Sequence, residues 1–140
     1  MIQIELKHDT QRPKFYILSD LHSLPDSPNI RVSLRQHAWR PPTDVFETED
    51  LYVVRVEIAG MEEADFSIIL DGRYLSTHGV RNDTPERRAY HQMEIRFGEF
   101  SSEVELPGPV SVKDIEAVYN NGFLHIRLRK TRPVKINIEE

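Results

Sequence analysis

AVYNNGFLHIRLRK, residues 117–130, decides the fold of this chain. In its second half Leu124, Ile126 and Leu128 alternate with His125, Arg127 and Arg129. Strict alternation means a strand with one buried and one wet face. Upstream, Ile115, Ala117 and Tyr119 repeat the same period. Between the two runs, Asn120, Asn121 and Gly122 signal a hairpin, because the turn needs positive φ, which Asn and Gly adopt most readily.

The same rhythm extends back to Trp39. LYVVRVEIAG puts Tyr52, Val54, Val56 and Ile58 on one face, with Arg55 and Glu57 opposite. DFSIILDG aligns Phe66, Ile68 and Leu70; RYLSTHGVR follows its Asp-Gly turn signal; SSEVELPG adds Val104 and Leu106. Short strands separated by Gly, Pro and Asn predict an all-β, antiparallel, immunoglobulin-like sandwich.

One stretch breaks the rhythm. NDTPERRAYHQMEIRFGEF is long, highly charged and carries Pro85, and long loops in compact domains are usually functional. AYHQMEI within it has the composition of a strand but no obvious neighbour in its own sheet. An unpaired strand is a liability unless another chain completes it, so strand exchange between two subunits is expected here. Before Trp39 there is no sustained period. PKFYILSDLHSLP places Phe15, Leu18, Leu21 and Leu24 near helical spacing, but flanking prolines limit it to a short, marginal helix.

Composition narrows the class. With 140 residues, 39% hydrophobic and 29% charged, the chain is expected to be one soluble domain. No apolar run is long enough for a membrane span, and MIQIELKHDT lacks the layout of a secretory signal. The absence of cysteine removes disulfides and thiol chemistry and fits a cytoplasmic protein. A net charge of −5 disfavours nucleic-acid binding, and the basic stretch RLRKTRPVK reads as a solvated strand end and tail.

The assembled motifs resemble the α-crystallin domain of small heat-shock proteins, in the bacterial and plant branch. AVYNNGFL is similar to the family's Ala-x-x-x-Asn-Gly-Val/Phe-Leu signature, with Ala117, Asn121, Gly122 and Leu124 at its fixed places. PPTDVFETEDLYVVRVEIAGMEEADFSIILDGRYLSTHGVR resembles the opening strands of that domain. YHQMEIRFGEF resembles the loop strand that makes the dimer, with Tyr90, His91, Met93 and Ile95 as its residues. Near the end of the sequence, Ile136-Asn137-Ile138 resembles the Ile-x-Ile anchor that docks on a neighbouring subunit. The resemblance runs over about residues 39–140, in the family's order and spacing.

It implies an amino-terminal arm over 1–38, partly disordered or a short helix, and a sandwich over 39–130 with a dimerisation loop at 82–98. A carboxy-terminal extension follows over 131–140. Departures from the pattern fall at Ser102 and Val104, where Arg and Phe are common, at Gln92 and Ile95, where Arg is frequent, and at Ala59, which replaces a Pro. They put in doubt the charged pairs across the dimer. Physically, Ile136 and Ile138 point the same way on an extended segment and fit adjacent pockets at a sandwich edge. The alternative is a final strand of their own domain. Ile2-Gln3-Ile4 and Ile30-Arg31-Val32 echo the tail and are either competitors for its groove or ordinary strand or arm.

Catalysis finds no foothold. His8, His22, His37, His78, His91 and His125 show no metal-ligand spacing, no serine sits in a nucleophile elbow, and DGRYLSTHG is not a phosphate loop. No metal, cofactor or ATP is expected. The resemblance implies an ATP-independent chaperone, a holdase built as a reversible homo-oligomer of strand-exchanged dimers, with unfolding proteins as partners. Its candidate client surface is Phe15, Tyr16, Ile17, Leu18, Leu21 and Leu24. The groove vacated by the tail has Ile69 and Val118 as outward-facing candidates. The competing class is a non-chaperone sandwich scaffold that binds one fixed partner.

Overall fold

The computed structural model describes residues 38–131 and 137–138, together with the backbone of 14–17. Among the described residues eight strands form two four-stranded sheets. They are β1 (Lys14–Ile17), β2 (Thr43–Glu47), β3 (Leu51–Glu57), β4 (Ser67–Asp71), β5 (Tyr74–Arg81), β6 (Gly98–Glu105), β7 (Glu116–Asn120) and β8 (Phe123–Arg129). The first sheet runs β1-β4-β5-β6 and the second β2-β3-β8-β7. All ladders are antiparallel except β1 on β4, which is parallel. Among the described residues the only helical turn is Glu63–Asp65, a 3-10 turn leading into β4.

The alternation seen in the sequence is the alternation of burial. Tyr52, Val54, Val56 and Ile58 face inward from β3 and its end, and Leu124, Ile126 and Leu128 from β8. Phe66, Ile68, Leu70, Leu75, Phe100 and Leu106 meet them from the other sheet. Each buried branched or aromatic side chain contributes about 1.5–3 kcal/mol, so the shared layer holds the sheets together. The β7–β8 turn is a two-residue turn with Asn121 at φ 51° and Gly122 at φ 82°, the left-handed pair that the Asn-Gly sequence specifies.

An aromatic chain crosses the interior. Trp39 and Phe100 lie 5.8 Å apart, Phe100 and Phe66 6.1 Å, and Phe66 and Tyr119 5.0 Å, all tilted or edge-on. Gly79 makes room for it, because a Cβ there would lie 2.6 Å from the Phe100 ring. Trp39 itself is stitched to the flank of β6 by Trp39 N–H to Glu99 C=O at 3.1 Å and Ser101 N–H to Trp39 C=O at 2.9 Å. Ser102, where the family resemblance led one to look for Arg, is buried and shares a 2.7 Å hydroxyl bond with Thr43, joining the two sheets at their ends.

One expectation needs correction. Within the arm, Lys14–Ile17 is a strand rather than part of a helix, and its backbone bonds come from β4 rather than from a following turn. Among the described residues no ladder involves 82–97, so AYHQMEI has no partner strand within its own chain.

Candidate assembly interface

The loop between β5 and β6 is built in two parts. Its first part folds around Arg88, which pairs with Asp83 at 3.1 Å, donates to the Thr84 carbonyl at 2.8 Å and lies over the Tyr90 ring at 5.5 Å. The Tyr90 hydroxyl donates to Asp83 at 3.1 Å. Slight desolvation pushes the Asp83 carboxyl up, but the Thr84 N–H, the Tyr90 hydroxyl and the Arg88 guanidinium outweigh it and hold it below the usual carboxylate range. Its second part is exposed: Met93 is 68% and Ile95 66% accessible, and His91 is also open to solvent. Two apolar side chains this exposed in a charged loop are a mark of an interaction segment.

Arg81 anchors the root of this loop. Its Nε donates to the Arg96 carbonyl at 2.8 Å, with Nη2 on the same oxygen, and Nη1 reaches the Ala59 carbonyl at 3.3 Å. The guanidinium lies over Trp39 at 4.6 Å and Phe97 at 5.3 Å. One side chain therefore fixes where the loop re-enters the sheet. Arg81→Ala is expected to cost about 1–3 kcal/mol, through lost charge-assisted bonds and ring contacts. It should also speed tryptic cleavage at Arg87, Arg88 and Arg96 in the freed loop. An unchanged cleavage rate would mean the loop root is held by something else.

The second sheet offers an open edge. Among the described residues β2 pairs only with β3, and Phe46 is 41% exposed on it. Its outer face is charged: Asp44–Arg55 at 2.6 Å, Glu116–Arg127 at 3.6 Å and Asp114–Arg129 at 3.8 Å bridge neighbouring strands or turns. A shallow cleft of about 450 Å³ on that face is lined by Pro42, Asp44, Arg55, Glu57, Phe123 and His125. Burial, then Arg127 and Arg55, hold His125 below its ordinary pKa. Of the two carboxylates in the cleft, Asp44 is committed to Arg55, whose Nη2 donates to it at 2.6 Å. No group of three metal-ligating side chains occurs among the described residues. His78, on the outer face of the first sheet, is likewise lowered by burial, against the raising effect of Glu103, and shares a 3.1 Å hydrogen bond with Ser101.

The other flank of the sandwich carries β4 and β7. Tyr119 ties them: its ring packs on Phe66, its hydroxyl donates to the Ile58 carbonyl at 2.8 Å and accepts from the Met61 N–H at 3.4 Å. Ile69 and Val118 are half-buried, but they do not face one another. Ile68, Leu70 and Ala117 point into the core, so Ile69 and Val118 stand on the outer faces of opposite sheets. Ile138 is 88% exposed and lies in no strand. Ile136, Leu18, Leu21, Leu24 and the stretches 2–4 and 30–32 lie outside the described residues, as do the side chains of Phe15, Tyr16 and Ile17. Ala117, Asn121, Gly122 and Leu124 come together at the β7–β8 hairpin, with Ala59 packed close under Gly122.

Comparison with known proteins decides what this sandwich is. Residues 44–139 match the family model described as Hsp20/alpha crystallin family. The chain belongs to that family. Small heat shock protein C2 of Rickettsia felis is 33% identical over 92 residues, which cover 64% of this chain and 60% of that protein. Small heat shock protein C4 of the same organism is 29% identical over 135 residues, covering 94% of this chain and 83% of that one. Among solved structures, heat shock protein 16.0 from Schizosaccharomyces pombe superposes with a TM-score of 0.62 at 26% identity, over 86% of this chain and 88% of that one. The hspA of Xanthomonas axonopodis gives 0.61 at 27%, over 67% and 96%.

As a member of the Hsp20/alpha crystallin family, the chain has features that sequence reasoning passed over. Arg81 sits among other arginines and nothing in its spacing sets it apart; the one available signal was the lone Trp39 that it covers. The Thr43–Ser102 bond joins residues 59 positions apart and leaves no local trace.

Proposed function

We propose that this member of the Hsp20/alpha crystallin family is an ATP-independent holdase, non-enzymatic and cytoplasmic, that binds unfolding proteins as a reversible oligomer of strand-exchanged dimers. The observation that carries this reading is apolar surface placed on two segments that the chain's own sandwich does not use: Met93 and Ile95 in the loop, and Ile138 in the tail. In the dimer the exposed part of the loop adds to the open β2 edge of a second copy. Backbone bonds supply affinity there, and alternate side chains supply register. The arm, 1–38, presents Phe15, Tyr16, Ile17, Leu18, Leu21 and Leu24 to clients, and the extension, 131–140, links dimers.

Burying both tail isoleucines is worth roughly 3–6 kcal/mol gross, less the ordering of the segment. One such contact is weak, and many in a closed assembly add through effective concentration. Heat that loosens them uncovers apolar surface at the moment when clients expose theirs. The net charge of −5 keeps the loaded particle soluble.

Light scattering of a heat-labile client, without nucleotide, tests the proposal. Aggregation is expected to be suppressed near one subunit per client. A folded chain that leaves scattering unchanged at every temperature and ratio would point to a scaffold instead.

A further inference from the structure

Asn121 and Gly122, the two residues of the β7–β8 turn, are a chemically reactive pair as well as a structural one. The asparagines of the chain are followed by Ile30, Asp83, Asn121, Gly122 and Ile138, so only Asn121 has a successor with no side chain to shield its nitrogen. Asn121 is also exposed at the tip of its hairpin.

We infer that Asn121-Gly122 is a latent self-modification site. The closed β7–β8 hairpin holds it unreactive; when the hairpin opens it cyclises to a succinimide, and the isoaspartate that follows no longer fits the turn. The chemistry needs the chain and one water. The Gly122 nitrogen bonds to Cγ of Asn121 and the Cγ–Nδ2 bond breaks. The Gly122 amide proton leaves with Nδ2 as ammonia. Water then opens the five-membered imide. Cleaving the new N–Cγ bond leaves Asp at 121; cleaving the original peptide C–N bond leaves isoaspartate, whose main chain runs through Cβ and Cγ.

The turn conformation is the gate. Ring closure needs the Gly122 nitrogen on the same side of the Asn121 Cα–C bond as Cβ. Asn121 has φ 51°, and a left-handed turn residue has ψ of about +30 to +50°, which sets that nitrogen trans to Cβ. Nucleophile and side-chain carbonyl are therefore kept apart while the turn is closed.

The same corner rejects the product. Isoaspartate lengthens the main chain by one C–C bond, about 1.5 Å. Gly122 has no slack to absorb it: its carbonyl accepts the Ile58 N–H at 2.8 Å, and a Cβ on it would lie 3.3 Å from that of Ala59. Asn120 and Phe123 are paired immediately on either side of the turn. Ile58 is fully buried, and its carbonyl is held by the Tyr119 hydroxyl at 2.8 Å. The extra atom thus loosens the join between the hairpin and the end of β3.

The consequence is a record of heat, to which asparagine is among the more vulnerable residues. Each opening of the hairpin allows conversion, and the amide is not restored afterwards. The converted fraction counts the time a subunit has spent open. This chemistry does not depend on the proposed holdase activity, but a chain that works during heating would be retired by it.

The test incubates the full chain beside the free peptide VYNNGFLH, residues 118–125, at neutral pH. Conversion is read by mass spectrometry of tryptic peptide 114–127, and isoaspartate by its methylation with isoaspartyl methyltransferase. Well below the unfolding midpoint, the chain should convert more than about ten-fold slower than the peptide, since only the open fraction reacts. Near the midpoint the two rates should converge, with Asn120 in the same tryptic peptide left intact. Equal rates at the low temperature overturn the gate. A heated chain that stays unmodified while the peptide converts overturns the site. Separated isoaspartate chains should unfold at a lower temperature than the Asn121→Asp variant, which carries the same charge on an ordinary backbone. Equal unfolding temperatures overturn the misfit of the product.

Discussion

Phe100→Ala is expected to remove about 3–5 kcal/mol of folding stability, the upper range for a buried aromatic truncation. Phe100 is fully buried and stands at the crossing of the interior: Trp39 lies on one side, Phe66 on the other, and the Gly79 backbone is pressed against its ring edge. None of these neighbours moves easily into the space. Trp39 is bonded to β6 on both sides of Phe100, Phe66 is held by Tyr119, and Gly79 is ladder backbone paired to residue 100 itself. A small domain holds about 5–15 kcal/mol in total, so the variant should sit near the edge of folding. Urea unfolding followed by circular dichroism reads the change, and a loss below about 1 kcal/mol would mean the cavity closes by rearrangement. Gly79→Ala should cost about 1–3 kcal/mol alone, because the new methyl meets the same ring. Combined with Phe100→Ala it should cost less than the sum, since the methyl enters the vacated space.

Replacing Ile136 and Ile138 with Gly is expected to act at the opposite level. Particle mass should fall from the assembled state to dimers, while the far-ultraviolet circular dichroism of the sandwich stays as it was. In the proposed closed particle, the roughly 3–6 kcal/mol gross lost at each contact would be multiplied around the assembly, so a modest local change should dissolve the whole. The exposure of Ile138 fits a side chain with no place in its own core. Mass measured by size exclusion with multi-angle scattering decides the matter. Unchanged mass would remove the tail from assembly, and a lost β-sheet spectrum would make these residues part of the core.

Burial on strands was legible because it is written at period two: every inward residue named for β3, β4 and β8 from sequence is buried, and the Asn-Gly turn has its left-handed pair. Those features depend only on near neighbours along the chain. The arm was misread for the complementary reason. Phe15, Leu18 and Leu21 have helical spacing, yet Lys14–Ile17 is extended, since an open β4 edge is a tertiary fact that no local pattern contains. The groove pair failed similarly. Alternation correctly turned Ile69 and Val118 outward, but it cannot say that their strands lie in different sheets, so that outward means opposite directions.

The register of β3 sets a clock on the birth of the molecule. Leu51 pairs with Arg129 and Glu57 with Phe123, so the central strand of the second sheet waits for the last strand of the sandwich. At about 5–20 residues per second of synthesis, the 78 residues from Leu51 to Arg129 take roughly 4–16 s. For that interval β3 has only the β2 hairpin beside it, with Tyr52, Val54 and Val56 still uncovered. The nascent chain thus passes through the kind of half-closed, apolar state that the finished one is proposed to guard in others.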